Sequence, residues 1–177
     1  KSVSVECWAR DNRYLLIAKE MMKDDLLLTA HHMDDQVETF FLQALRSAGP
    51  RGLSSMPIIK KIGNGFHIRP LLNIQRSQLE KYATTNNLSW QNDESNSDIR
   101  YDRNYLRHKV LVFFEKAWPS YRQSISRVIS HQKESMKLLS EIASEDMRTV
   151  LCENSNNLDV KMLKKLSLSR QKNLIFY

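Results

Sequence analysis

Apolar residues recur near helical spacing through the first part of the chain: Val5, Trp8, Leu15, Leu16, Ala18 and Met22. That period predicts an amphipathic helix from about Val3 to Met22. A charged turn and a short apolar run follow in "DDLLLTA", which predicts a buried strand from Leu26 to Thr29. From Met33 the period is helical again, with Val37, Phe40, Phe41, Ala44 and Leu45 on one face and Gly49-Pro50 as the stop. "IIKKIGNGFHIRPLL" predicts a hairpin turning on Gly63-Asn64-Gly65, its second strand ended by Pro70. Ser77 and Glu80 form a capping-box pattern for the next helix. "SWQNDESNSDIRYD" reads as polar loop, and Asp102 as the cap of a helix from about Arg103. Beyond Trp118-Pro119 the pattern changes. One long helix is expected over Ser120 to Leu151, with Ile125, Val128, Ile129, Met136, Leu139, Ile142 and Ala143 on one side. Residues 153–157 (ENSNN) read as a linker or turn, and a further helical unit runs to Tyr177 without a stop signal. Both ends are expected to be cut from a longer protein.

Helix, strand, helix is the alternation of an α/β fold built on a parallel sheet. Ligands in such sheets bind beyond the carboxyl ends of the strands, where Thr29, Ala30, His31 and His32 fall. The 177 residues suffice for one domain and part of another. No run reaches the roughly 18–20 apolar residues of a membrane helix, and the first residues lack a signal-peptide core. Cys7 and Cys152 are isolated, which argues against a disulfide framework or a structural zinc site and for a reducing, cytoplasmic setting. The formal net charge of +7 suits a polyanionic partner, a nucleic acid or a nucleotide.

Two clusters carry candidate chemistry. The first is His31, His32, Asp34, Asp35 and Glu38. On a helix starting near Met33, Asp34 and Glu38 are four apart and Asp35 and Glu38 three apart, spacings that share a face. Acids at a helix N-terminus are also favoured by its dipole without any function, by about 0.3–1 kcal/mol each. Functionally they suit a magnesium ion held with phosphates, an amine substrate, or a general base. The second cluster is "DESNSDIRYDRNYLRHKVL", with Arg103 and Arg107 four apart and Asn104 and His108 on an adjacent strip. Like charges at that spacing cost roughly 0.2–0.5 kcal/mol unless an anion lies between them. Guanidinium suits phosphate or carboxylate, which it binds bidentately. Asp93, Asp98 and Asp102 offer plain salt bridges instead. Arg10 and Arg13, and Arg46 and Arg51 around the Gly-Pro break, read equally as phosphate or RNA contacts and as solvated surface.

These residues resemble a known family. "TAHHMDDQVETFFLQALRSAGPRGLSSMP" is similar to the HHxDDxxET…RG(S/A)G…GL…MP signature of bacterial tRNA(Ile)-lysidine synthetases. "IRPLLNIQRSQLEKYATTNNLSWQNDESNSDIRYDRNYLRHKVL" resembles that family's second block, and "WARDNRY" its AR..RY element. The resemblance runs in order from about Trp8 to Leu111, and "LSLSRQKNLIFY" looks like the opening of the family's next domain. It implies a partial Rossmann-like parallel sheet of the N-type ATP pyrophosphatase kind over residues 1–117, a long linker helix over 118–152, and the start of an α-helical substrate- or tRNA-binding domain over 153–177. The implied chemistry is adenylation of the C2 carbonyl of cytidine 34 in the CAU anticodon of tRNA(Ile), with ATP and magnesium. The amine of free L-lysine then displaces AMP.

By the same resemblance, Asp35 and Glu38 would recognise or help deprotonate the lysine amine. His31, His32 and Asp34 would shape the ATP and magnesium end of the pocket. Arg103 would stabilise the adenylate or its phosphate, with Asn104, Arg107 and His108 supporting it or contacting RNA. Asp93, Asn96 and Asp98 of the SN.D segment, Arg10 or Arg13, and Arg46 and Arg51 are further substrate or tRNA contacts. Two departures stand out. The family's SGGxDS phosphate loop is absent and would precede Lys1, so the piece by itself is expected to be inactive. Val112 stands where the family has proline. The rival readings are a tRNA thiolation enzyme of the same fold, disfavoured by the isolated cysteines, and a non-catalytic RNA-binding fragment. Oligomeric state is left open, a homodimer included.

Overall fold

The structure is a computed structural model that describes residues 5–91, 93–152 and 157–177. Helix α1 spans Val5–Glu20 and leads into strand β1, Leu26–Leu28. Helices α2, Met33–Leu45, and α3, Pro50–Leu53, follow, then strands β2, Ile59–Ile62, and β3, Gly65–Ile68. Helix α4 is Arg76–Thr85, and a 3-10 turn covers Glu94–Ser97. Helix α5, Asp102–Tyr105, runs through a π turn, Leu106–Val110, into α6, Leu111–Ala117. The long α7 is Tyr121–Val150, and α8, Val160–Lys165, and α9, Leu168–Phe176, fold back on it. The expected helix starts at residues 3 and 4, and most of the 153–157 linker, lie outside the described residues.

The sheet has the order β1-β3-β2. β1 pairs parallel with β3, Leu27 opposite His67, and β2 pairs antiparallel with β3, Lys60 opposite His67. The parallel arrangement expected from the helix–strand alternation is present in the β1–β3 pair, while the hairpin makes the sheet mixed. His67 therefore lies on the central strand, flanked by Leu27 of β1 on one side and Lys60 of β2 on the other.

Several local expectations need correcting. β1 is not buried: Leu26 and Leu28 are exposed, because β1 is an edge strand with one face uncovered here. The hairpin turns on Gly63 and Asn64 alone, since Gly65 already pairs with Ile62. Gly49-Pro50 does not end α2, which stops at Leu45; Gly49 caps α3 and Pro50 is its first residue, where a missing N–H costs nothing. The fourth helix is capped at Gln75, whose N–H donates to Gln78 Oε1 at 3.0 Å; Ser77 lies inside it and Glu80 pairs with Arg76 at 2.8 Å. Asp102 is the first residue of α5, and the cap position is Tyr101. Leu45 and Val128, placed on apolar faces, are exposed.

Gly63 has φ of 52°, and a Cβ there would lie 2.2 Å from the Ala18 carbonyl oxygen of α1. Left-handed backbone and close approach both demand glycine. Gly63→Ala is expected to destabilise the domain by about 2 kcal/mol or more, read as a lower denaturation midpoint; an unmoved midpoint would refute this account of the α1–hairpin contact.

Two apolar clusters share α7. Val37, Leu106, Leu111 and Tyr121 are buried together, with Phe41, Leu42, Phe114 and Ile125 packed around them. Farther along the helix, Ala143, Val150 and Leu174 form a second cluster with Met147, Leu163 and Leu166. The first fastens α2 to the α5–α6 segment, which sets the two candidate clusters against each other.

Candidate active site

The two halves of the site come from residues about seventy positions apart. Acids at the start of α2 point at arginines of α5 and the π turn. Arg103 Nε donates to Glu38 Oε2 at 2.6 Å and its Nη2 to Asp35 Oδ1 at 2.8 Å. Arg107 Nε donates to Glu38 Oε1 at 2.6 Å and its Nη2 to Glu38 Oε2 at 2.9 Å. Arg107 also approaches Asp35 to 3.6 Å. Glu38 is 1% exposed, so both of its oxygens are held inside the protein. Burial alone would lower the Arg107 pKa, but the bonds and charges of Glu38 and Asp35 outweigh it and raise the value. The like-charge cost anticipated for Arg103 and Arg107 is thus met by carboxylates between them.

Asp35 Oδ2 accepts from the His32 backbone N–H at 2.9 Å, which fastens the acid to the start of its own helix. Asp34 turns elsewhere. Its oxygens accept from Arg122 Nε of α7 at 2.6 Å and from the Arg76 backbone N–H at 2.8 Å. Burial raises the Asp34 pKa, but these two donors more than offset it and hold the carboxyl below its usual range. Arg122 also reaches Glu115, at 2.9 Å. His32 Nδ1 sits 3.6 Å from both aspartates, buried and without a hydrogen-bond partner.

On the other side of Arg103 opens a cleft of about 620 Å³, lined among others by Arg10, Tyr14, His31, Lys60, Lys61 and His67. Arg69 and Arg103 also line it, so its charged groups are five cations against one acid, Asp11, which pairs with Arg10 at 3.4 Å. Thr29 Oγ1 lies 2.7 Å from His31 Nδ1 and 2.8 Å from His67 Nε2. Arg69 Nη2 lies 3.1 Å from His67 Nδ1, and its Nη1 donates to the Pro57 carbonyl at 2.9 Å. Burial first, then the charges of Arg69, His31 and Lys60, push the His67 pKa down to about 4. Folded His67 is therefore neutral near pH 6, where the unfolded histidine takes up a proton. Stability is full above about pH 6.5 and is expected to fall by about 3 kcal/mol as pH drops toward 4. Denaturation midpoints measured across that range should flatten in His67→Gln; an equal slope in both proteins would exclude His67 as the cause.

Not every residue singled out in the sequence joins this site. Arg10 lines the cleft and Arg13 does not. Arg46 pairs with Asp102 at 3.8 Å on the surface. Arg51 lines a separate cavity of about 380 Å³ between α3, α7 and α9. Asp93 caps the 3-10 turn through the Ser95 N–H, and Asp98 pairs with Arg100 at 2.6 Å. Asn104 donates to the Ser95 and Asp98 carbonyls, both at 2.9 Å, and His108 Nε2 meets the Asn96 carbonyl at 2.9 Å. The side chains of Asn104 and His108 thus staple the loop backbone to α5 and the π turn that carry Arg103 and Arg107. Sequence reasoning placed Thr29 at the strand end where ligands bind but missed His67, Arg69 and Arg122 as members of these networks. His67 on β3 and Arg69 just past its end are two apart in extended chain and share a side, and that was a usable signal; Arg122 had none.

A magnesium ion does not fit this arrangement. The oxygens of Asp34, Asp35 and Glu38 are all taken by guanidinium or backbone N–H donors. Among the described residues no group of three or more His, Cys, Asp or Glu is placed to hold a metal. No helix among them is long and apolar enough to cross a membrane.

Residues 1–113 match the family described as the PP-loop domain. The chain belongs to the PP-loop domain family. The matched span contains every residue of the acid–arginine clamp and the cationic cleft. Among individual PP-loop relatives, the chain is 42% identical over 172 residues to a tRNA(Ile)-lysidine synthase of Coxiella burnetii, covering 97% of this chain and 38% of the relative. A tRNA(Ile)-lysidine synthase of Nitrosomonas europaea is 43% identical over 177 residues, 98% of this chain and 38% of the relative. One of Vibrio campbellii is 46% identical over 139 residues, 78% of this chain and 31% of the relative. The chain thus spans about two fifths of the length of the first two relatives.

Proposed function

We propose that this chain is part of a tRNA(Ile)-lysidine synthetase, an ATP-dependent C–N ligase that joins L-lysine to C2 of cytidine 34 in the CAU anticodon of tRNA(Ile). The observation that carries the reading is the likeness to relatives of that name along nearly the whole chain, including both halves of the clamp. The site chemistry supports it. The reaction needs anionic groups for an ammonium, cationic groups for a phosphate, and contact between the two; Arg103 joins Asp35 and Glu38 to a cleft walled by cations.

In this reading the cytidine O2 attacks the α-phosphorus of ATP and the bond to pyrophosphate breaks. Cations of the cleft, Arg103 and Arg10 among them, balance the charge on the phosphoryl oxygens. The lysine amine, once neutral, attacks C2; the C2–O bond breaks and AMP leaves. The amine's proton goes to a carboxylate; Asp35, 13% exposed against 1% for Glu38, is the more accessible of the two, although both its oxygens accept hydrogen bonds. Glu38, buried and fully engaged, positions Arg103 and Arg107. Magnesium travels with the phosphates of the nucleotide, and no step here depends on protein ligands to it. His31 faces the nucleotide, while His32 and Asp34 brace the start of α2. Arg107, Asn104, His108, Asp93, Asn96 and Asp98 support the site, and Arg13, Arg46 and Arg51 are surface positions for RNA. Residues 1–117 belong to the catalytic domain, 118–152 to a connecting helix, and 153–177 to the start of a helical tRNA-binding domain. The enzyme works in the cytoplasm.

The test uses the full-length protein with ATP, magnesium, radiolabelled lysine and CAU-anticodon tRNA(Ile). Label is expected in the RNA, with stoichiometric AMP release. A folded protein that binds the tRNA yet incorporates no lysine would overturn the assignment in favour of an RNA-binding role.

A further inference from the structure

Four side chains form a chain of hydrogen bonds whose direction is fixed at one end. Arginine has only donors, so the contact of Arg69 Nη2 with His67 Nδ1 at 3.1 Å makes Nδ1 the acceptor. His67 must then carry its proton on Nε2, which donates to Thr29 Oγ1 at 2.8 Å. Thr29 Oγ1 could accept from both rings, but its own proton would then have no acceptor among the described side chains; given to the remaining partner, His31 Nδ1 at 2.7 Å, it satisfies all three groups. With Nδ1 accepting, His31 is neutral and holds its proton on Nε2. His31 lines the cationic cleft. The origin of the direction is itself anchored, because Arg69 is 8% exposed and its Nη1 is tied to the Pro57 carbonyl.

We propose that Arg69, acting through His67 and Thr29, holds His31 in the Nε2–H tautomer, so that His31 is a positioned neutral donor to a phosphoryl oxygen of the nucleotide bound in the cleft. The phosphoryl group follows from the company His31 keeps: Arg10, Lys60, Lys61 and Arg103 line the same cleft and suit an anion. A donor fixed before substrate arrives needs no reorganisation during the reaction. Arg69, His67 and Thr29 are positioning residues. Losing the relay would let the His31 proton move to Nδ1, leaving an acceptor facing the phosphate. The second half of the proposal rests on the nucleotide-dependent activity above; the tautomer does not.

The experiment is long-range ¹⁵N–¹H correlation on the full-length protein labelled in histidine, with His31 and His67 assigned through His31→Gln and His67→Gln. Wild-type His31 is expected in the Nε2–H pattern without any ligand. In Thr29→Val, which removes the hydroxyl and keeps the shape, the Nδ1–H form should appear, and Thr29→Ser should restore the original pattern. Arg69→Met should release His67 in the same way if that variant folds. AMP added to the wild type should shift the His31 Nε2–H signal. In the lysine-ligation assay, Thr29→Val should lower kcat by about tenfold or more, with less change in KM for ATP, and Thr29→Ser should recover most of it. His31 found as the Nδ1–H form, or unaffected by Thr29→Val, would overturn the relay even in a fully active enzyme. A correct tautomer with no response to AMP would overturn the donor role. A correct tautomer in a protein that never ligates lysine would overturn the functional reading and leave the relay intact.

Discussion

Replacing Glu38 with alanine is expected to destabilise the PP-loop domain by about 3–5 kcal/mol, the largest stability effect of any single substitution at the site. Glu38 is 1% exposed and accepts from two guanidinium groups. Alanine removes the charge that balances both and leaves a cavity. Arg107 is 21% exposed, and the next carboxylate to it among the described residues is Asp35 at 3.6 Å. Arg103 is 36% exposed and can turn toward water, which places the expected value near the lower end. The measurement is the denaturant midpoint at pH 7 for the wild type, Glu38→Ala and Glu38→Gln. Glutamine keeps the shape and some hydrogen bonds but not the charge, and should fall between the other two. Adding Arg107→Met to Glu38→Ala should recover part of the loss, since an apolar side chain no longer needs a counter-charge. A loss below about 1 kcal/mol would show that the clamp is not formed in solution.

Arg103→Ala should have the opposite profile. Glu38 keeps Arg107, so stability changes little, but the link between the acids and the cleft is lost. Lysine ligation is expected to fall by about 10²–10³-fold in kcat, the range for removing a fixed donor from developing charge. Arg103→Lys should not rescue it. One ammonium cannot bond Glu38 at 2.6 Å and Asp35 at 2.8 Å in the flat geometry of a guanidinium and still face the cleft. Separate assays of the two half-reactions, pyrophosphate release and lysine transfer, distinguish a role on phosphate from one on the amine. Wild-type kcat in Arg103→Ala would remove Arg103 from the chemistry and leave it as a structural partner of Glu38.

The acids of the site were legible because they are local. Asp34, Asp35 and Glu38 open a helix whose apolar face begins at Val37, so their common surface follows from the helical period. The arginines were legible for the same reason, four apart on a second helix. Which acid met which arginine was not. Asp34 and Asp35 are neighbours in sequence, yet one binds Arg122 of α7 and the other Arg103 of α5. Adjacent helical positions point about 100° apart, and only the packing around Val37, Leu106 and Tyr121 decides what each direction meets. Asn104 and His108 looked like ligand-binding groups beside the arginines. In the fold their N–H donors go to loop carbonyls, because a polar loop lying against a helix must satisfy its own backbone.

By itself the sequence determined the α/β class, the positions of the long elements to within a few residues, the acid and arginine clusters, and the family. Periodicity, turn residues and motif spacing are properties of short stretches and survive without three-dimensional context. The tertiary structure decided the rest: that Glu38 is buried between two guanidinium groups, that Arg10 and not Arg13 lines the cleft, and that His67 and Arg69 share one network with Thr29 and His31. Each of these depends on a contact between residues tens of positions apart. The direction of such a contact is set by how two elements pack, and no local pattern carries it.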